Sequence, residues 1–166
     1  MVTPMAGGGF RIVNTGGGGA FDASAVSTTA IAGDFVLRGA SGTPALSAFI
    51  AVTADPTESN GYLDLDHSIQ IFGDDFFMLE DGIFHAPTGA HGGAVWIERR
   101  GSTLRYRTGA SFASSVVRRT VAGVSAPLFF DSSIATVAGV LEVRFEPPGR
   151  WLARARQSRI ALGIGL

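Results

Sequence analysis

Short segments in which every second residue is apolar recur along the chain and predict β-strands. The clearest is 95–109, which is interrupted near its centre by the dipeptide Gly101-Ser102. Alternation with a period of two predicts a strand with one buried face, and a glycine-first dipeptide suits a two-residue type II′ turn. The segment therefore predicts an antiparallel hairpin with one core face and one polar face, on which Trp96 is the exception. The predicted core positions are Val95, Ile97, Leu104 and Tyr106.

Similar segments, separated by Gly, Pro and Asp turn signals, cover most of the chain. They are 33–39, 46–56, 67–73, 76–86, 114–123, 127–134 and 139–148. Within 76–86, the run Glu80-Asp81-Gly82-Ile83 predicts a second tight hairpin turn. Roughly eight to ten short strands with no long amphipathic helix predict an all-β fold, an antiparallel β-sandwich of the jelly-roll or concanavalin-like type.

The two ends of the chain differ from this pattern. Glycine runs dominate residues 1–32 around one strand-like segment, Phe10–Val13, so we interpret this region as a glycine-rich arm or attachment segment that orders against a partner. Residues 33–148 are expected to form the sandwich. Residues 149–166 are basic and then apolar, and are expected to form an assembly tail.

Composition narrows the possible functions. A chain of 166 residues, 46% of them hydrophobic, suits one domain with a sizeable core. A net charge of −1 argues against nucleic-acid binding, and the lack of cysteine excludes disulfides and thiol chemistry. The sequence has no secretory signal and no apolar run that could span a bilayer, so we expect any extracellular form to be released by host lysis.

Charge is segregated along the sequence. All 13 basic residues other than histidine are arginines, most of which follow Glu98, whereas an arginine-free stretch contains most of the acids. These acids are Asp55, Glu58, Asp64, Asp66, Asp74, Asp75, Glu80 and Asp81. The segregation either produces opposed faces that guide subunit docking or is neutralised when the strands interleave.

The segment 55–67 holds the densest group of residue types that bind sugars, because carboxylates and amides hydrogen-bond to hydroxyls and an aromatic ring stacks on a pyranose. The candidate ligand-binding residues are Asp55, Glu58, Asn60, Tyr62, Asp64 and Asp66 from this segment, and Trp96 and Tyr106 from the hairpin. Asp55, Asn60, Asp64 and Asp66 also have the oxygen-bearing side chains that calcium prefers. The glycine-bearing twelve-residue calcium loop between two helices is absent, however, and acids that are simply solvated on a loop are the simpler interpretation. We predict no metal site.

Two arrangements of acidic residues bear on catalysis. Asp64 and Asp66 would share one face of a strand, as a glycosidase carboxylate pair requires, and Glu98 lies beside Trp96. Pairing of Glu98 with a cross-strand arginine, Arg105 or Arg107, is the simpler interpretation of that glutamate. The histidines are too widely spaced to indicate a metal site, and no serine lies in a nucleophile elbow. We predict neither enzymatic activity nor a cofactor.

The order of the strand motifs resembles a known class of module. Six motifs, in this order, are similar to the concanavalin-like, lectin-like sandwiches in fibre, spike and receptor-binding proteins of tailed phages and gene transfer agents. They are GDFVLRG, AFIAVTADP, HSIQIF, FMLEDGIF, VWIERRGSTLRYRTG and PLFFDSSIATVAGVLEV. The resemblance covers residues 33–146. It implies a carbohydrate-recognising module on a particle surface, commonly a homo-oligomer, and it transfers no individual ligand residues.

From the resemblance we expect a structural fibre or head-spike component of a phage-like particle that binds host surface polysaccharide. Its other expected partners are capsid, tail or fibre subunits and further copies of itself. Because fibre-like proteins are often trimeric, the resemblance implies a trimer. The alternative is a purely architectural spike base or capsid decoration protein, for which the loop acids and arginines serve assembly. A polysaccharide-degrading enzyme is the third possibility.

Overall fold

In the computed structural model, which describes residues 1–6, 9–16, 21, 23–56, 61–125 and 127–145, the chain forms two antiparallel β-sheets packed face to face. The strands are β1 (Val2–Pro4), β2 (Phe10–Val13), β3 (Ala23–Ser24), β4 (Phe35–Ser41), β5 (Ser47–Thr53), β6 (His67–Phe72), β7 (Asp75–Glu80), β8 (Ile83–Ala90), β9 (Ala94–Arg100), β10 (Thr103–Gly109), β11 (Val116–Val121), β12 (Phe129–Ile134) and β13 (Val140–Phe145). A short 3₁₀ helix, Tyr62–Asp64, precedes β6.

The two sheets confirm the predicted all-β sandwich. The seven-stranded sheet has the order β1-β2-β13-β4-β9-β10-β11, and the six-stranded sheet has the order β3-β12-β5-β6-β7-β8. Alternate residues of each strand point between the sheets, as the period of a pleated strand requires, and they form one continuous apolar core. The opposite residues form two outer faces, which carry the features that bear on function.

Both predicted hairpin turns are confirmed. Arg100 pairs with Thr103 across the Gly101-Ser102 turn, and Gly101 has a φ of 55° while Ser102 keeps a negative φ, as a type II′ turn requires. In the second turn, Asp81 and Gly82 have φ values of 48° and 75°, which are typical of a type I′ turn. Each turn sets the register of its two strands.

The described part of residues 1–32 differs from the predicted arm. β2 pairs with β13 and places Phe10 and Ile12 in the core, and β3 pairs with β12. Ile31 is buried and bridges to Leu128. This region therefore completes both sheets, and burial of its few large apolar residues explains why it orders on the chain itself. The predicted assembly tail, 149–166, lies outside the described residues.

The polar face of the 95–109 hairpin is more buried than the alternation predicts. Trp96 and Glu98 both point away from the core, and both are buried. Phe112, in the loop between β10 and β11, packs on Trp96 with ring centroids 6.3 Å apart, and arginine side chains surround Glu98. Period-two alternation identifies which residues share a face, but it does not show that a loop covers that face.

Candidate binding surface

An open row of aromatic side chains crosses the outer face of the six-stranded sheet. Phe72, Phe77 and Phe84 come from β6, β7 and β8, and Tyr62 comes from the 3₁₀ helix. Successive ring centroids lie 6.0 Å apart from Phe72 to Phe77, 6.3 Å from Phe77 to Phe84, and 6.5 Å from Phe84 to Tyr62. We call these four residues the aromatic row.

The aromatic row is exposed to solvent at Phe72 and Phe84 and half-buried at Phe77 and Tyr62. Phe72 is 53% exposed and Phe84 is 52% exposed, and Leu63, in the 3₁₀ helix, is exposed as well. Single exposed apolar residues are common on protein surfaces, but a contiguous group of large ones marks a site of interaction. The aromatic row is therefore the strongest candidate binding surface on the described part of the chain.

One end of the aromatic row is fixed from below. Tyr62 stacks on Phe49 of β5 with centroids 5.4 Å apart and an interplanar angle of 2°, and Phe21 packs against Tyr62 at 4.7 Å. Offset and tilted aromatic pairs of this kind contribute about 0.5–1.5 kcal/mol each beyond the area that they bury. Tyr62 is thereby held in one orientation beside Phe84, and of the predicted ligand residues it is the one that belongs to this surface.

The predicted acidic site is not assembled as expected among the described residues. Asp66 is engaged by its own loop, because its Oδ2 accepts a hydrogen bond from the Ala54 backbone N–H at 2.6 Å and from Thr53 Oγ1 at 3.1 Å. Asp55 and Asp64 have interactions of their own. Glu58 and Asn60 lie outside the described residues, within which no group of three or more acidic or histidine side chains is placed to hold a metal ion.

We predict that Asp66→Ala destabilises the fold, because the Ala54 N–H and the Thr53 hydroxyl lose their acceptor. Urea unfolding should show a loss of about 1–3 kcal/mol in the free energy of unfolding. Asp75→Ala, on an exposed strand position, is the control and should change stability little. Equal stability of both variants would show that the Asp66 contacts do not secure the loop.

The other predicted ligand and catalytic residues are separated from the acidic loop. Tyr106 points into the core between the sheets, and Trp96 lies under Phe112 on the outer face of the other sheet. Glu98 shares that second face, so the structure does not bring it together with Asp64 or Asp66. Asp64 and Asp66 themselves flank the end of the 3₁₀ helix and the start of β6 instead of sharing a strand face.

Glu98 is the centre of an arginine network. Its carboxylate accepts hydrogen bonds from Arg100 Nε at 2.9 Å and Arg107 Nε at 2.7 Å, and Arg105 Nη1 lies 3.9 Å away. The expected cross-strand pairing is confirmed. The Arg107 guanidinium also lies over the Phe112 ring, 5.1 Å from its centroid, so one arginine pairs with a carboxylate and stacks on an aromatic ring at once.

A polar cluster that the sequence analysis missed lies at one end of the space between the sheets. Glu80 of β7 points inward in phase with Met78, and Arg119 of β11 donates two hydrogen bonds to it, at 2.7 and 2.8 Å. His85 Nε2 lies 3.4 Å from Glu80 Oε2. The sequence signal that could have revealed this cluster is an acid, Glu80, at a position that alternates in step with the core residues of its strand. Through this contact Arg119, on the edge strand β11, joins the seven-stranded sheet to β7 of the six-stranded sheet.

Burial and charge shift the pKa values in the Glu80 cluster. Burial lowers the pKa of His67 below 6.5, although the nearby carboxylates of Glu80, Asp66 and Asp81 oppose the shift. Burial also acts to raise the pKa of Glu80, but the hydrogen bonds and charge of Arg119 outweigh it and leave this pKa below 4.5. Burial, followed by the charge of Glu80, raises the pKa of Tyr106 well above 10, so its hydroxyl stays neutral.

These shifts predict that acid weakens the fold in two stages. Below pH 6.5 the unfolded chain binds a proton at His67 before the folded chain does, so stability falls. Below pH 4.5 the same argument applies to Glu80, whose lowered pKa stabilises the fold only while the carboxylate is ionised. Urea unfolding across pH 4–8 should show the first stage in the wild type and a smaller one in His67→Gln. Stability that rises on acidification through this first stage would contradict the assignment.

The two sheets differ sharply in charge. Every arginine that the structure describes lies on the seven-stranded sheet, and the strands of the six-stranded sheet contain none. Alternation and register place several of them on the outer face: Arg11, Arg38, Arg100, Arg105, Arg107 and Arg144. Glu98 and Glu142 share that face. Apart from the Glu80–Arg119 contact, the segregation in sequence is thus preserved as a segregation between sheets.

Within the described residues, no helix has the length and apolar character that a membrane crossing requires. No protein-family model matches the sequence, and no curated protein matches it either.

Solved structures with similar folds are sandwiches of the same kind. The TRIM65 PSpry domain matches with a TM-score of 0.53 and 9% identity over 75% of this chain and 69% of that domain. Stonustoxin matches with a TM-score of 0.54 and 8% identity over 75% of this chain, which spans only 22% of the toxin chain. These likenesses support a concanavalin-like, SPRY-type jelly-roll sandwich, and at such low identity they concern the fold alone.

Proposed function

We propose that this chain is a non-enzymatic architectural component of a phage-like particle, from a phage or a gene transfer agent, and that it docks onto other particle subunits through the aromatic row. The observation that carries the proposal is the open, contiguous set of aromatic side chains on the six-stranded sheet. The particle context comes from the resemblance of the strand motifs to fibre and spike modules.

The chemistry of the aromatic row favours a protein partner. Protein interfaces are enriched in aromatic residues and their centres are depleted of charge, and Phe72, Phe77, Phe84 and Leu63 present carbon alone. A sugar site needs hydrogen-bonding groups that converge on the hydroxyls. The candidate groups for that role are engaged elsewhere, as Asp66 is, or lie buried on the other sheet, as Trp96 does.

The test uses particles from cells that express the wild-type chain or the double variant Phe72→Ser/Phe84→Ser. Quantitative mass spectrometry should find the wild type in purified particles and the variant reduced by roughly 30-fold, because loss of a buried aromatic anchor costs about 2 kcal/mol or more. Val116→Ser/Val137→Ser removes equally exposed apolar side chains outside the aromatic row and should leave incorporation unchanged. Absence of the wild-type chain from particles would overturn the proposal.

Host surface polysaccharide is the second candidate ligand, and the position of Tyr62 favours it. This ring lies at the end of the aromatic row next to the acidic segment, where a pyranose could stack while its hydroxyls meet Asp64. Binding of the purified chain to host polysaccharide, lost in Tyr62→Ala and retained in Trp96→Phe, would support this function. No binding by the purified wild-type chain would remove it.

A further inference from the structure

We infer that the partner of the aromatic row contributes an extended segment that pairs with β8 as one more strand of the six-stranded sheet. The inference rests on the proposed docking role of the aromatic row and names the kind of partner that docks there. This partner is a different protein of the particle, and its segment is apolar at the centre and basic at both ends. The basis is the open first half of β8, the strand that carries Phe84.

β8 is the sheet edge that the fold leaves least protected. Proteins block exposed edges with very short strands, charged side chains, proline or bulges, because free backbone groups pair with other chains. Among the described strands, β3 has two residues, and β1 has three and ends at Pro4. β11 carries Arg118 and Arg119 and has a bulge in its pairing with β10. β8 has eight residues and contains no aspartate, glutamate, lysine or arginine.

The protection of β8 is confined to its second half. Pro87 lies there, and the register of β8 against β7 shifts between its pairs with Met78 and Phe76. The first half pairs with β7 in regular register. Its first two residues, Ile83 and Phe84, are 61% and 52% exposed and point to opposite faces of the sheet. The open part of the edge is therefore apolar on both faces.

The first half of β8 also has backbone groups that can pair with a further strand. Glu80 and Ile83 flank the two-residue turn and lie opposite each other, so they form a hydrogen-bonded pair of the antiparallel ladder. Leu79 and Phe84 form the next pair, in which the N–H and C=O groups of each residue point away from the other strand. Those of Phe84 therefore point to the open edge. Strand addition of this kind takes its affinity from such main-chain groups and its specificity from alternate side chains.

Acidic residues at both ends of β8 indicate the charge of the partner. Asp81 lies in the turn before the strand, and Asp75 lies directly opposite Ala90 at its end. Both are exposed, and neither carboxylate forms an ion pair within the described part of the chain. The complementary strand has basic side chains at its ends, which meet these acids, and apolar side chains between them, which meet Ile83 and Phe84.

The same charges disfavour a second copy of this chain as the partner. An antiparallel pair of β8 edges would bring Asp81 of one copy to Asp75 of the other, and a parallel pair would bring each acid to its own counterpart. Like charges at opposed strand positions are destabilising. β11 of a second copy has its arginines at the centre of the strand, where Arg119 is already bonded to Glu80. The added strand therefore belongs to another protein.

Particle incorporation of Ile83→Lys tests strand addition, because this variant keeps all four side chains of the aromatic row. A lysine on the open edge blocks a further strand and repels the basic residues of the partner. Quantitative mass spectrometry should find it reduced at least about tenfold in purified particles. Val116→Lys places the same side chain on an exposed position of the other edge, β11, and should incorporate as the wild type does. Far-UV circular dichroism and thermal unfolding establish that each variant is folded.

Hydrogen exchange separates strand addition from contact through the aromatic row alone. The Phe84 N–H should exchange quickly in the free chain, and strand addition should slow its exchange at least about tenfold in purified particles. Unchanged exchange at Phe84, or full incorporation of Ile83→Lys, would overturn the inference. If Phe72→Ser/Phe84→Ser is nevertheless lost from particles, the docking role of the aromatic row stands and only the strand pairing is wrong.

Photocrosslinking identifies the occupant of the edge. With p-benzoylphenylalanine in place of Ile83, cross-links in purified particles should map to a segment of another particle protein that has arginine or lysine on both sides of an apolar run. Cross-links to a second copy, or to residues 146–166 of this chain, would show that the partner is not a different protein and would overturn that assignment.

Discussion

Replacing Trp96 by alanine should lower the free energy of unfolding by about 3–5 kcal/mol, as expected for removal of a fully buried aromatic side chain. Trp96 is 1% exposed and packs with Val36, Ala40 and Ala94 under Phe112. The cavity left by the indole cannot close without moving the loop that carries Phe112. Urea unfolding monitored by circular dichroism measures the loss, and the folded fraction should bind partners as the wild type does.

Trp96→Phe separates the contribution of side-chain packing from that of the indole N–H in the cluster around Trp96. The Trp96 Nε1 atom is buried and has no hydrogen-bond partner among the described residues, so phenylalanine removes an unsatisfied donor while it keeps most of the packing. We expect Trp96→Phe to recover more than half of the stability lost in Trp96→Ala. If Trp96→Ala were as stable as the wild type but failed to bind a ligand, Trp96 would be a recognition residue and its assignment to the fold would be wrong.

Replacing Arg119 by methionine should be the next largest loss, about 2–3 kcal/mol, because it leaves the Glu80 carboxylate buried without its main partner. This loss lies at or below the range expected for breaking a fully buried ion pair, because the Arg119 side chain is 32% exposed whereas that of Glu80 is 10% exposed. Urea unfolding at neutral pH measures the loss. The same variant should also raise the pKa of Glu80 and move the second acid transition to higher pH.

Glu80→Gln is the matched control, and it should lower the free energy of unfolding by less than Arg119→Met does. When the carboxylate is removed, the Arg119 guanidinium can turn toward water, so the expected cost is only about 1 kcal/mol. When the arginine is removed, the buried Glu80 carboxylate cannot turn toward water in the same way. A larger loss in Glu80→Gln than in Arg119→Met would show that the exposed partner, and not the buried one, sets the energetics of the pair.

The fold was predictable because alternation and turn chemistry are local. The hairpin around Gly101-Ser102 needs only its own residues to set its turn, register and core face. The pairing of the N-terminal strands was not predictable in the same way. Phe10–Val13 is strand-like in sequence, but glycine runs flank it, and it joins the sandwich because β13, distant in sequence, supplies both hydrogen bonds and a core for Phe10.

The binding surface was harder to predict because exposure depends on tertiary packing. Trp96 interrupts a polar face in sequence and was expected to meet a ligand, but a loop centred on Phe112 covers it. Phe72 and Phe84 read as ordinary strand residues, and they are open because nothing in the described chain packs over the end of β6 or the start of β8 on this face. Sequence pattern identifies the face of a residue, whereas the neighbouring segments decide whether that face is buried.

The most direct test of the docking role is a structure of the intact particle in which this chain and its neighbours are seen together. The account predicts that Phe72 and Phe84 are buried against another subunit. An assembled particle in which both phenylalanines remain open to solvent, with contacts made elsewhere on the chain, would contradict the central claim.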